Sequence, residues 1–136
     1  MWRRCGELGL PVSIHVADPR AFWQPYNAQN ERWKELQGHR SWWFGDSKLY
    51  PPREELLAAL GRVVTRHPGT TVVSVHFGNN FEDLAWVDRQ LSAHTNLNVD
   101  LAARIPELGR QDPERLRQLF LKHQDRIVFG TDFQVY

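Results

Sequence analysis

Four ionisable side chains each stand at the end of a short apolar, β-branched run. His15 follows Pro11-Val12-Ser13-Ile14, and His76 follows Thr70-Thr71-Val72-Val73-Ser74-Val75. Asp100 lies in Leu97-Asn98-Val99-Asp100-Leu101, and Asp132 follows Arg126-Ile127-Val128-Phe129-Gly130-Thr131. Imidazoles move protons near neutral pH and ligate borderline divalent ions such as Zn²⁺, a role that carboxylates share. Gathered at one end of a sheet, such groups could activate a water or bind an ion. Left apart, they are a core histidine, a turn-capping histidine and an Asx-turn aspartate. Which of these holds depends on the elements that carry them.

Branched Cβ atoms pack well on a pleated surface, so the four runs are predicted strands. They are nearly continuous in apolar character, as parallel strands covered on both faces are. After each of the last three strands the period lengthens or a loop begins. Phe77-Gly78-Asn79-Asn80 forms a turn, with Gly78 free to take a positive φ. From Phe81 onward, Phe81, Leu84, Ala85 and Leu91 share one helical face, with Glu82 and Asp83 in the first turn where carboxylates suit the dipole. Pro51-Pro52 opens a second helix whose stripe is Leu56, Leu57, Leu60, Val63 and Val64. Asp112-Pro113-Glu114 opens a third, with Leu116, Leu119 and Phe120 as its apolar face. Residues 1–9 have the pattern of the last turns of a helix, which implies that something precedes them. A loop is predicted over residues 102–111.

Strand and helix alternate four times, which argues a parallel sheet of right-handed crossovers. The intervals from His76 to Asp100 and from Asp100 to Asp132 are ordinary βα repeats. The interval from His15 to His76 is one repeat stretched by an insertion over residues 20–52, rich in aromatic and polar residues, with one short helix predicted near Asn30 to Leu36. Loops of this length are commonly lids or binding loops, although packing over the core explains this one equally well. A doubly wound sheet usually carries a Gly-rich phosphate turn after its first strand, and Val16-Ala17-Asp18-Pro19 stands there instead. The expectation is therefore α/β: a partial (β/α)8 TIM barrel, one incomplete domain over residues 1–136, with its functional groups at the carboxyl ends of the strands.

Three of these strand ends resemble those of the amidohydrolase superfamily: Pro11-Val12-Ser13-Ile14-His15, Val75-His76-Phe77-Gly78-Asn79 and Phe129-Gly130-Thr131-Asp132-Phe133. The nearest likeness is to the amidohydrolase-related branch, which also contains metal-dependent decarboxylases, and it covers the chain as strands five to eight of that barrel. The resemblance implies a metal-dependent hydrolase, or a carbon–carbon lyase of similar geometry. It implies a divalent cofactor, zinc or alternatively manganese, with His15 and Asp132 as metal ligands. His76 and Asp132 take the catalytic roles: His76 orients water or substrate, and Asp132 accepts a proton from the water. The His-x-His pair that completes the family's metal site is absent from this sequence, which implies a missing amino-terminal half and little activity for these residues alone.

Around that centre, Arg104 suits a substrate carboxylate, and Trp42, Trp43 and Phe44 suit the wall of an apolar pocket. A solvated arginine and plain aromatic packing are the competing readings. Asp100 faces either the site or the helices, because one residue of register reverses its side. His39, His67, His94 and His123 sit in loops or at helix ends, where capping and dipole effects account for them.

A chain of 136 residues, 41% hydrophobic and 24% charged, can bury a core of its own. The formal net charge of +1 with scattered basic residues gives no reason to expect nucleic acid or an anionic membrane as partner. The expected partner is a small-molecule substrate. The edges and open inner face of half a barrel add self-association into a homo-oligomer, and a non-catalytic fragment is the rival reading from another class. Cys5 is the only cysteine and no secretory pattern precedes the first strand, which makes a reducing cytoplasm the default compartment.

Overall fold

Residues 1–133 are described by a computed structural model of the chain. Among the described residues four strands form one sheet: β1 (Val12–Ile14), β2 (Val72–Ser74), β3 (Leu97–Asp100) and β4 (Ile127–Val128). All neighbours are parallel, and the order in space is the order in sequence. A doubly wound sheet reverses direction at a switch point; this one never does, so the units advance as the staves of a barrel. The fold is a partial (β/α)8 barrel.

The register explains which residues face which layer. Val72 pairs with Leu97, and Ser74 with Val99, and all four are buried at 0–1% exposure. They point toward the helices, where Leu60, Val64, Val87, Leu91 and Leu119 complete the core. With a pleat of period two, Ser13, Val73, Asn98 and Asp100 must point the other way, to the barrel's inner side. His15 continues the row of Ser13.

The helical layer is built from Arg53–Arg66, Leu84–Ala93 and Pro113–His123. Asp112 caps the last of these by accepting from the Arg115 backbone N–H at 2.8 Å, as its side chain suits. Two expectations change. The helix expected from Phe81 starts at Leu84 instead, because Asp83 caps it, accepting from Trp86 N–H, while Glu82 is turned to Arg53. Its buried face is therefore Val87 and Leu91, and Ala85 is exposed. The predicted loop over 102–111 contains a helical turn, Ile105–Leu108, seated by buried Leu108. The strands are also shorter than the apolar runs. Among the described residues β4 pairs only with β3 and Phe129 has no ladder partner, and Phe129 is 72% exposed.

The insertion is ordered by a buried asparagine. Asn30 donates from Nδ2 to the carbonyls of Ala21 and Pro25 and accepts from Arg32 N–H. The short helix follows at Trp33–Gly38. Two contacts seat the insertion on the loops after β2 and β3. Arg20 N–H donates to Glu82 at 2.7 Å, and Arg32 pairs with Glu107 at 2.6 Å. No helix among the described residues is long and apolar enough to cross a membrane.

Candidate active site

The chain leaves β2 through a left-handed turn. His76, Phe77, Gly78 and Asn79 have φ values of 56°, 58°, 72° and 55°. For most residues with a side chain this conformation costs about 1–2 kcal/mol, so residue type alone accounts for Gly78 and Asn79 there but not for His76 or Phe77. Phe77 offsets part of the cost: it is fully buried and stacks on Phe120 with ring centroids 5.9 Å apart. Hydrogen bonds fix the rest. Asn79 N–H closes onto Val75 O at 3.0 Å, and Asn79 Oδ1 accepts from Val16 N–H at 2.8 Å. Backbone strain held in place by its surroundings is characteristic of functional loops.

This turn presents His76 at the end of β2, where its Nδ1 lies 2.9 Å from the carbonyl oxygen of Ala102. A carbonyl can only accept, so Nδ1 carries the proton and Nε2 keeps the lone pair. His15, at the end of β1, meets the His76 ring edge to face at 5.1 Å between centroids. His15 Nε2 lies 3.6 Å from Asp18 Oδ1. Burial holds the His15 imidazolium below the ordinary histidine range. Asp18 opposes this, His76 and Arg104 add to it, and Asp132 opposes it again. His15 is thus a neutral imidazole at neutral pH, with Asp18, Arg104, Asp132 and the His76 ring in electrostatic reach.

Arg104 is one of them. Its side chain is 12% exposed, with its guanidinium over the Phe81 ring at 5.1 Å and Nη1 on the Ala103 carbonyl at 2.9 Å. Burial lowers its pKa, with Glu107 raising it and Arg32 lowering it. Its Nε has no hydrogen-bond partner among the described residues. Asp132 is exposed, with φ at 60°, and forms no hydrogen bond or ion pair with either histidine among the described residues. Asp100 faces the site side of its strand and holds the His76 backbone. Trp42 stacks on His39 at 4.0 Å, and Trp43 donates from Nε1 to Gln24 O and lies under Arg40. These ring contacts stay within the insertion. The four histidines given no chemistry include His123, which is buried between Asp88 and Arg126.

Two residues that the sequence reading passed over belong here. Asp18 faces His15, as described. Arg53 is 2% exposed and donates to the carbonyls of Asp18 and Asn79, to Asn80 Oδ1 and to Glu82. A signal for it exists in the sequence. Arg53 opens a helix, where a cation opposes the dipole, so its place there has to serve something outside the helix. Two grooves of about 820 and 890 Å³ lie between the outer helices, lined respectively by residues such as Arg62 and Trp86 and by residues such as Asp88 and Arg115. Neither includes His15 or His76.

A family model described as Amidohydrolase matches residues 1–135. The chain belongs to the amidohydrolase family. No curated protein and no solved structure matched it. The amidohydrolase family is generally metal-dependent, and the donors at these strand ends can be tested against that chemistry. Two imidazoles side by side, one with its tautomer set by a carbonyl so that Nε2 is free, suit a borderline divalent ion. Their number does not complete a site: among the described residues no group of three or more His, Cys, Asp or Glu side chains gathers as a ligand set.

Proposed function

We propose that this amidohydrolase chain contributes His15, His76 and Asp132 to a metal-dependent hydrolase centre that cleaves a C–N or C–O bond of a small molecule. The observation that carries the reading is the approach of the His15 and His76 rings to 5.1 Å at adjacent strand ends. A bound divalent ion, zinc or manganese, would lower the pKa of a water from 15.7 toward ~7. His15 would serve as a ligand through its neutral imidazole, kept so by burial. His76 Nε2 would orient the water or polarise the substrate, because its other nitrogen is committed to Ala102. Asp132 would ligate and take the proton, a role a carboxylate can fill near neutrality. Arg104 would hold a substrate carboxylate with its planar fork, and Trp42 or Trp43 would wall the pocket.

With two histidines and one exposed aspartate, the 136-residue chain would bind metal weakly and turn over little substrate, since a catalytic zinc generally needs three protein ligands and an open position. Calorimetric titration with Zn²⁺ and with Mn²⁺, beside a His15→Ala control, tests both statements. Weak binding that the control abolishes is expected. Binding unchanged in the control removes His15 from the ligand set, and tight stoichiometric binding with hydrolytic turnover shows that these residues suffice.

A further inference from the structure

The geometry points to Arg53 as a positioning residue that sets His76 and joins the loops after β1 and β2 into one unit. The inference rests on the reading of His76 as a site residue given above. Arg53 spends four donors across two loops. Nε bonds Asp18 O at 2.9 Å, in the loop whose carboxylate faces His15. Nη2 bonds Asn79 O at 2.6 Å, the carbonyl that ends the left-handed turn, and Nη1 bonds Asn80 Oδ1 at 2.9 Å. Nη2 also meets Glu82 Oε2 at 3.0 Å, and the other oxygen of Glu82 takes Arg20 N–H at 2.7 Å.

A guanidinium spans these acceptors because its N–H groups are fixed in a plane, which a lysine ammonium cannot reproduce. The consequence for His76 follows through the backbone. Residues 76–79 are left-handed, and with the Asn79 carbonyl and Asn80 released, the turn can relax toward ordinary φ values. That rotation would carry the imidazole off the Ala102 carbonyl and free its tautomer. Replacing a residue that only stabilises the fold would lower the melting midpoint and leave the His76 ring of the folded protein as it was.

The test reads the ring directly, in the full chain and without metal, by ¹⁵N NMR of the His76 imidazole at a pH where it is neutral. The unaltered protein is expected to show a single Nδ1–H tautomer. Arg53→Met and Arg53→Lys are expected to lose that signature for a mixture of the two tautomers. If Arg53→Met does not fold, Asn80→Ala and Glu82→Ala each remove an acceptor of Arg53 and are expected to show a partial loss. An unchanged single tautomer in the folded Arg53 variants, or in both acceptor variants, overturns the proposal. A failed metal titration with a responsive tautomer would instead reject the metal-centre reading and leave the role of Arg53 standing.

Discussion

Asp100 Oδ1 accepts from the backbone N–H of His76 at 2.8 Å and from that of Ala102 at 3.1 Å. Ala102 in turn accepts from the His76 ring. One carboxylate at the end of β3 therefore aligns both the main chain of His76 and the carbonyl that selects its tautomer. The strand-end site is a closed ring of three residues before any ligand is considered.

Asp100→Ala leaves two N–H groups without their acceptor in a half-buried place. The expected loss is about 1–3 kcal/mol of stability, read as a lower denaturant midpoint with an unchanged slope. Asp100→Asn keeps an acceptor oxygen and is expected to recover most of the loss. Equal destabilisation by both would show that the charge, rather than the hydrogen bonds, holds the turn.

The pair Arg32–Glu107 couples the insertion to the loop after β3 and brings a pH dependence with it. Burial raises the Glu107 pKa, but the Arg32 hydrogen bond and the Arg104 and Arg32 charges win, and the net shift is below its usual 4.5. A carboxylate depressed in the folded state stabilises it above the unfolded pKa, and that stability is lost as pH falls through the folded value. Arg32→Leu is expected to lose about 1.5–3 kcal/mol at neutral pH, the range for a hydrogen bond to a charged group. The same variant should lose less further stability than the parent on acidification below ~4.5. Denaturant titrations at several pH values check both, and parallel acid profiles would reject the coupling.

His123 is 4% exposed, with Nε2 at 2.7 Å from Asp88 Oδ1 and Nδ1 at 2.8 Å from Arg126. Arg126 can only donate, so Nδ1 accepts and Nε2 carries the proton to Asp88. Its partners lie on the helix Leu84–Ala93 and at the residue before β4, and neither bonds His15 or His76. His123→Ala is expected to cost about 1–3 kcal/mol from the buried partners left unmatched, measured by thermal unfolding, while the His76 ring signature stays as in the parent. A change at His76 would show that the helix layer reaches the site.

Much of this architecture was legible in the residues. Val72, Leu97 and Val99 read as buried strand residues, and they are buried against the helices, whereas the expected cover on the other face is incomplete: Ser13 is exposed and Val73 and Asn98 are half-buried. Asp112-Pro113 marked a helix start because an N-cap carboxylate and a first-turn proline act locally. The barrel class followed from alternation and from the missing phosphate turn, and the consecutive strand order bears it out. The insertion's length and its place after a strand were visible too, because they need only counting.

The site itself depended on contacts between distant parts of the chain. Nothing local says that His76 and Phe77 should be left-handed; that conformation holds because Phe77 is buried and Arg53, Val16 and Asp100 grip the turn from three other segments. Glu82 had the makings of a first-turn helix carboxylate, yet a buried guanidinium outcompetes the weaker attraction of the dipole. The side of the sheet that Asp100 faces was open to a shift of one residue until the pairing of β3 with β2 and β4 set it. The order of residues thus determined the strands, the helices and which groups stand at strand ends. Only the folded chain decided their conformation and partners, because hydrogen bonds and burial across tens of residues overcome propensities of about 1–2 kcal/mol.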